Sequence, residues 1–157
     1  METLQVERTK ALQAFQSVNY DGKKLLTELF GEQNFPGKIT DRIKTFKDAC
    51  QELGIDPTDV IPTGGMLDKD AKSMIAGCKL NVIVRALNEG WEPDWNNSRQ
   101  PKWRCWFYFD SPGFRFHGAG CNFSNSSVGS RLCFKNEELA IYAGAQFLDL
   151  FKEHFEI

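Results

Sequence analysis

Apolar positions along this chain change their spacing twice. Up to Gly90 they recur at helical intervals, over residues 102–110 they take the period of a strand, and from Leu139 they return to helical spacing. In residues 4–18, Leu4, Leu12, Phe15 and Val18 lie at mostly helical intervals, and residues 22–30 form a short amphipathic helix ending near Gly31. Pro36-Gly37 marks a turn. A clearer helix opens at Thr40, with Ile43, Phe46, Cys50 and Leu53 on one face and Gly54 as its stop. Asp56-Pro57 reads as a cap and first helical residue, opening a single turn through Val60. The longest helix of this half covers residues 68–89, striped by Ile75, Cys78, Val82 and Leu87 and ended by Gly90. Leu80, Val82, Ile83 and Val84 wrap more than one of its faces, which predicts a central helix buried on two sides.

Trp91 to Ser98 is an irregular loop interrupted by Pro93. In residues 102–110 the alternation is strict: Trp103, Cys105, Phe107 and Phe109 share one face, and Lys102, Arg104, Trp106 and Tyr108 share the other. The odd-numbered set is assigned to the core. Ser111-Pro112-Gly113 turns the chain into Phe114-Arg115-Phe116, predicting a hairpin. Gly118-Ala119-Gly120 is expected to bulge or interrupt that second strand before Cys121-Asn122-Phe123. After a polar loop at 124–130, residues 131–134 read as a third strand. Asn136 then caps a closing helix over 136–157, whose stripe (Leu139, Tyr142, Ala143, Phe147, Leu150, Phe151) can lie across the sheet. The predicted architecture is a single α+β domain over 1–157. Its parts are a mostly helical segment 1–90, a β-rich segment 91–135 and a long C-terminal helix 136–157, with a small three- to four-stranded antiparallel sheet packed against several helices.

Composition narrows the function classes. With 157 residues, 41% hydrophobic and 25% charged, the chain can bury a core without metal or disulfide staples. A net charge of −2 excludes a generic polyanion binder but not a local basic patch. Residues 81–135 carry seven basic and four acidic side chains, whereas 136–157 carry five acids and one lysine. The aromatic stretch is therefore also the basic one. Met1-Glu2-Thr3-Leu4 shows no basic segment leading into an apolar run, and no apolar stretch approaches the roughly 18 residues a membrane span needs. The expectation is a cytoplasmic protein, with Cys50, Cys78, Cys105, Cys121 and Cys133 reduced.

The best binding candidate is the face of Arg104, Trp106 and Tyr108, joined by Arg115, because stacking rings threaded with cations suit a flat or single-stranded ligand. Its bland counterpart packs both rings under helices, with Arg104 reaching solvent along its stem. Trp91 and Trp95 form a second candidate in the preceding loop, set against a loop merely pinned to the core by its tryptophans. Cys105, His117, Cys121 and Cys133 are the right ligand types for zinc, but no Cys-x-x-Cys knuckle exists, and three cysteines filling a sheet core is the reading adopted. His117 and Cys121 invite a thiol-nucleophile reading, yet on one strand they lie about 13 Å apart. Phosphate-loop, dinucleotide and zincin signatures are absent, and no cofactor is expected.

Three strings carry a resemblance: Ile39 to Phe46, Ala86 to Trp95, and Gly129 to Lys135. They resemble a family of uncharacterised proteins of gut Bacteroidetes and their phages or prophages. That family has no activity attached to it, so no site residues are carried over. The resemblance implies a small protein of a mobile element or its bacterial host cell. The sequence reading is thus a non-catalytic accessory binding module for an unidentified protein or small ligand, without membrane contact. Single-stranded nucleic-acid binding is the second reading, and a thiol- or metal-dependent enzyme the third.

Overall fold

The computed structural model describes residues 6–155 except 19, 36, 63, 66, 67, 112 and 125–130. Leu4, Pro36, Pro112 and most of the polar loop at 124–130 therefore lie outside the described residues. The chain divides into two compact units, Met1–Arg42 and Ile43–Ile157.

The first unit is helical: α1 (Arg8–Ser17), α2 (Tyr20–Phe30), a 3-10 turn at Glu32–Asn34 and the short α3 (Ile39–Arg42). Its small core stacks Phe15 on Phe35 at 4.7 Å, with the Arg42 guanidinium 6.0 Å from the Phe15 ring.

The α+β architecture belongs to the second unit. Here α4 (Phe46–Leu53), α5 (Pro57–Val60) and α6 (Asp68–Leu87) precede a hairpin of β1 (Lys102–Asp110) and β2 (Gly113–Asn122), followed by α7 (Glu137–Gln146) and α8 (Leu148–Phe155). Helix α6 is buried on more than one face, as expected, with Leu80, Val82, Ile83 and Val84 each no more than 5% exposed. It packs against α4 and α8, while α7 lies on both strands.

Three boundaries differ from the sequence reading, each for a local reason. The helix expected from Thr40 breaks after Arg42 and restarts at Phe46, because Thr45 and Asp48 form a reciprocal capping box. Those hydrogen bonds hold the Asp48 carboxyl below its ordinary range, the Thr45 hydroxyl contact being the largest cause. The break frees backbone carbonyls that α7 then uses: Tyr142 Oη donates to Ile43 O at 2.6 Å and Gln146 Nε2 to Lys44 O at 3.0 Å. The closing helix is likewise two helices, interrupted at Phe147 (φ −111°, ψ 28°). That break re-aims α8 so that Phe151 and Phe155 reach the hairpin.

The third difference concerns the sheet. Among the described residues it has two strands, not three or four. Where a third strand was expected, Phe134 makes a single antiparallel bridge to Trp103, with N···O distances of 3.0 and 2.7 Å. The rest of that segment is held by a side chain instead. Asn88, 3% exposed at the end of α6, donates to Cys133 O at 2.8 Å and accepts from Lys135 N at 3.1 Å. Lys135 closes the arrangement with a shielded ion pair to Glu89 at 3.0 Å.

Candidate functional site

The hairpin register explains how one strand pair presents two unlike faces. From Asp110↔Gly113 to Phe107↔Phe116 the pairing is regular, and then one residue of β2 is skipped, so that Trp106 pairs with Gly118. His117 is the extra residue. The bulge lets His117 and Gly118 both face outward, while Phe114 and Phe116 before it, and Ala119 and Cys121 after it, stay on the inner side. The expected bulge is therefore present one residue before the glycines, and the strand continues unbroken through Asn122.

The inner face is aromatic. Phe107 lies 4.9 Å from Phe114, 5.7 Å from Phe116 and 4.7 Å from Phe151, ring centre to ring centre. Phe109, assigned to the core by parity, is 60% exposed. It sits next to the hairpin turn, where its remaining neighbours are Phe114 and the exposed Phe155. Cys105 is also inward, its thiol donating to Ala140 O at 3.1 Å.

Burial pushes the Cys105 thiol from an ordinary 9.0 to about 12. Cys133 is pushed by burial to about 11, the Lys102 charge partly opposing the rise. Both are held as neutral thiols, the opposite of what a nucleophile needs. A folded-state pKa raised above the unfolded value means that the stabilisation is complete below pH 9 and is lost as pH climbs toward about 12. Unfolding measured from pH 8 to 11 should show stability falling above pH 9, and a Cys105→Ala variant should show a shallower fall. An identical pH profile for the variant would remove Cys105 from this account.

The outer face is the candidate site. Arg104, Trp106 and Tyr108 project from β1, and Arg115 and His117 from β2. The Arg104 guanidinium lies 5.1 Å from the Trp106 ring and that of Arg115 lies 4.9 Å from Tyr108. His117 packs on the other ring neighbour, 4.3 Å from Tyr108. Trp106 is 44% exposed and Tyr108 38%. The rings are therefore not core, and the reading that packs them away is set aside.

Both arginines are oriented by neighbours. Arg115 grips Asp110 with Nε at 3.1 Å and Nη2 at 2.7 Å, and this pairing holds the Asp110 carboxyl below its ordinary range. With the Asn122 amide in the orientation its hydrogen-bond network favours, its oxygen accepts from Arg104 Nη1 and Nη2 at 3.0 and 2.7 Å.

No protein-family model, curated protein or solved structure matches this chain.

At the Lys102 end the face is roofed by the tryptophan loop. Lys102 is fully buried, and its ammonium donates to Asn97 O (3.3 Å), Gln100 O (3.1 Å) and Ser124 Oγ (3.4 Å) beneath the Trp95 ring, 5.2 Å away. A buried ammonium needs such a cradle, so Lys102 fastens loop 91–101 to the sheet. Trp95, 39% exposed, thus borders the outer face. Trp91 is placed instead by the turn that ends α6, where its N–H donates to Asn88 O at 3.0 Å.

The metal-like set is not assembled. Cys105 and Cys121 lie on the inner side of the register and His117 on the outer, and among the described residues no three His, Cys, Asp or Glu side chains converge on a point. Sequence reasoning missed His117 as part of the aromatic face: alternation with Arg115 already puts it on the outer side, but the sequence reading weighs it only as a metal ligand and as the partner of a thiol. It also missed Lys102 as a buried anchor. No helix among the described residues is long and apolar enough to cross a membrane.

Proposed function

We propose that this chain is a non-catalytic accessory binding module of phage or prophage type, and that the outer hairpin face is its ligand surface. The observation that carries the reading is the joint exposure of Trp106 and Tyr108 on a strand face that also holds Arg104 and Arg115. Fully burying a large apolar side chain stabilises a fold by about 2 kcal/mol, and this chain forgoes part of that for both rings. Tryptophan, tyrosine and arginine together are the residues that dominate binding energy at recognition surfaces. A non-catalytic role is supported by the neutral, buried Cys105 and Cys133 and by an outer-face carboxylate, Asp110, already held by Arg115. The mobile-element setting is supported by the three sequence strings that resemble the Bacteroidetes and phage family. Five free cysteines are consistent with a reducing compartment such as the bacterial cytoplasm.

The test separates a ligand surface from a piece of core. A Trp106→Ala, Tyr108→Ala double variant should unfold within about 1 kcal/mol of the parent, as surface substitutions do. In an NMR titration of the tryptophan indole N–H signals against an acidic peptide, decathymidylate and indole-3-acetate, Trp106 should move first with any probe that binds. Destabilisation as large as a core truncation causes, about 3 kcal/mol, would make the face structural. Shifts at Trp91 or Trp103 that leave Trp106 still would move the ligand surface elsewhere.

A further inference from the structure

Gly118 has no structural reason to be glycine. It pairs with Trp106 in the middle of β2, where glycine weakens a strand. Its φ is not in the left-handed region, so the bulge beside it does not demand it. A Cβ built there meets nothing within 4 Å, so packing does not demand it either. Gly120, opposite Arg104, is nearly as undemanding: a Cβ there would reach only ordinary contact, 3.9 Å from Arg104 Nε and from a Trp106 ring carbon. The other interior glycine next to this sheet behaves differently, since a Cβ on Gly144 would run into Phe116. Two bare positions therefore lie beside an exposed tryptophan, forming a floor of main chain. Glycines of this kind mark places where something outside the chain comes close to the backbone.

Resting on the ligand surface proposed above, we infer that this face binds single-stranded nucleic acid, with one base stacked on Trp106, its neighbour at Tyr108, and the sugar-phosphate running over Gly118 and Gly120. Three features favour that occupant over an acidic peptide. Trp106 and Tyr108 are two residues apart on one strand, which sets their rings about 7 Å apart, a separation that splayed bases of an unstacked strand can match. Each ring has a cation against it, Arg104 on Trp106 from the same strand and Arg115 on Tyr108 from across the ladder, which complements the negative charge of a nucleic-acid strand. An acidic peptide would satisfy the guanidiniums but would leave the exposed parts of the two rings and the glycine floor uncovered. Arg104 is also pre-aimed by Asn122, so little of its side-chain freedom is lost on binding, whereas Arg115 keeps Asp110 as its partner.

The magnitudes follow. Each base–ring stack contributes about 1–3 kcal/mol, so Trp106→Ala should weaken binding about tenfold or more. With one phosphate of a single strand neutralised, at Arg104, affinity should fall about threefold between 50 and 200 mM salt. The decisive variant is Gly118→Val. A β-branched residue suits a strand, and a Cβ there meets nothing within 4 Å, so the unfolding temperature should hold or rise while binding is lost.

Fluorescence anisotropy of labelled decathymidylate, decauridylate and a ten-base-pair duplex, titrated with the full chain at 50 mM salt, tests this. Micromolar binding of the single strands, weaker binding of the duplex, and at least tenfold loss in both Trp106→Ala and folded Gly118→Val are expected. No binding of either single strand at 100 μM protein, or binding indifferent to both substitutions, overturns the inference. Should the acidic peptide move the Trp106 indole while decathymidylate does not, nucleic acid is rejected and the ligand surface stands. Should neither probe move it while the double variant is destabilised, both readings fall.

Discussion

Gly144→Val is expected to lower the stability of the second unit by about 3 kcal/mol or more, read as a lower midpoint in urea unfolding. Gly144 is buried in α7, where the helix crosses the hairpin, and a Cβ at this position would overlap the Phe116 ring edge. That ring cannot step aside cheaply, because it lies against Phe107, which is wedged against Phe114 and Phe151. The cost must appear as displacement of α7 from the sheet. A second substitution checks the mechanism: Phe116→Ala costs stability alone but makes room for the valine. The double variant should therefore be less destabilised than the sum of the two, with a coupling of about 1–3 kcal/mol. Strict additivity would mean that the two residues do not meet.

The second large effect is expected at Asn88. Asn88→Leu should destabilise by about 3 kcal/mol although leucine has nearly the same volume. The substitution strips the partners from two shielded main-chain groups, the Cys133 carbonyl and the Lys135 N–H. Leaving a buried donor or acceptor unmet costs about 1–3 kcal/mol each. Asn88→Ala should be no milder unless water enters the space to replace the amide. A Lys135→Met variant serves as the comparison. It removes the partly shielded ion pair with Glu89 while sparing both main-chain bonds to Asn88, so its cost should be smaller. Equal losses in the two variants would show that the ion pair, not the amide, fastens residues 131–135 to α6.

How much of this was legible in the chain depends on the range of the interaction involved. Asp56 with Pro57, Asn136 before Glu137, and Gly54 and Gly90 at helix ends all act within a few residues, and each marks a real boundary. The parity of 102–110 is local too, and it sorted Phe107 from Trp106 correctly. The Thr45–Asp48 capping box was equally local, but Thr40 offered a rival cap in the same apolar stripe, and only the contacts of Tyr142 and Gln146 with the freed carbonyls decide between them. Residues 131–134 are a short apolar run that reads as a strand, yet apart from the Phe134 bridge to Trp103 their partner lies 45 residues away on a helix end.

The sequence by itself determined that a basic, aromatic strand pair with two chemically opposite faces would sit between helical segments, because side-chain alternation and capping are fixed by neighbours along the chain. Tertiary structure alone decided which aromatics are free. The one-residue bulge at His117 turned an extra residue outward, the break at Phe147 aimed α8 at the inner face, and the Lys102 cradle drew the tryptophan loop over one end of the outer face. Exposure of Trp106 and Tyr108 is the sum of those long-range choices. Each was set by packing and hydrogen-bond partners that no short window of sequence contains.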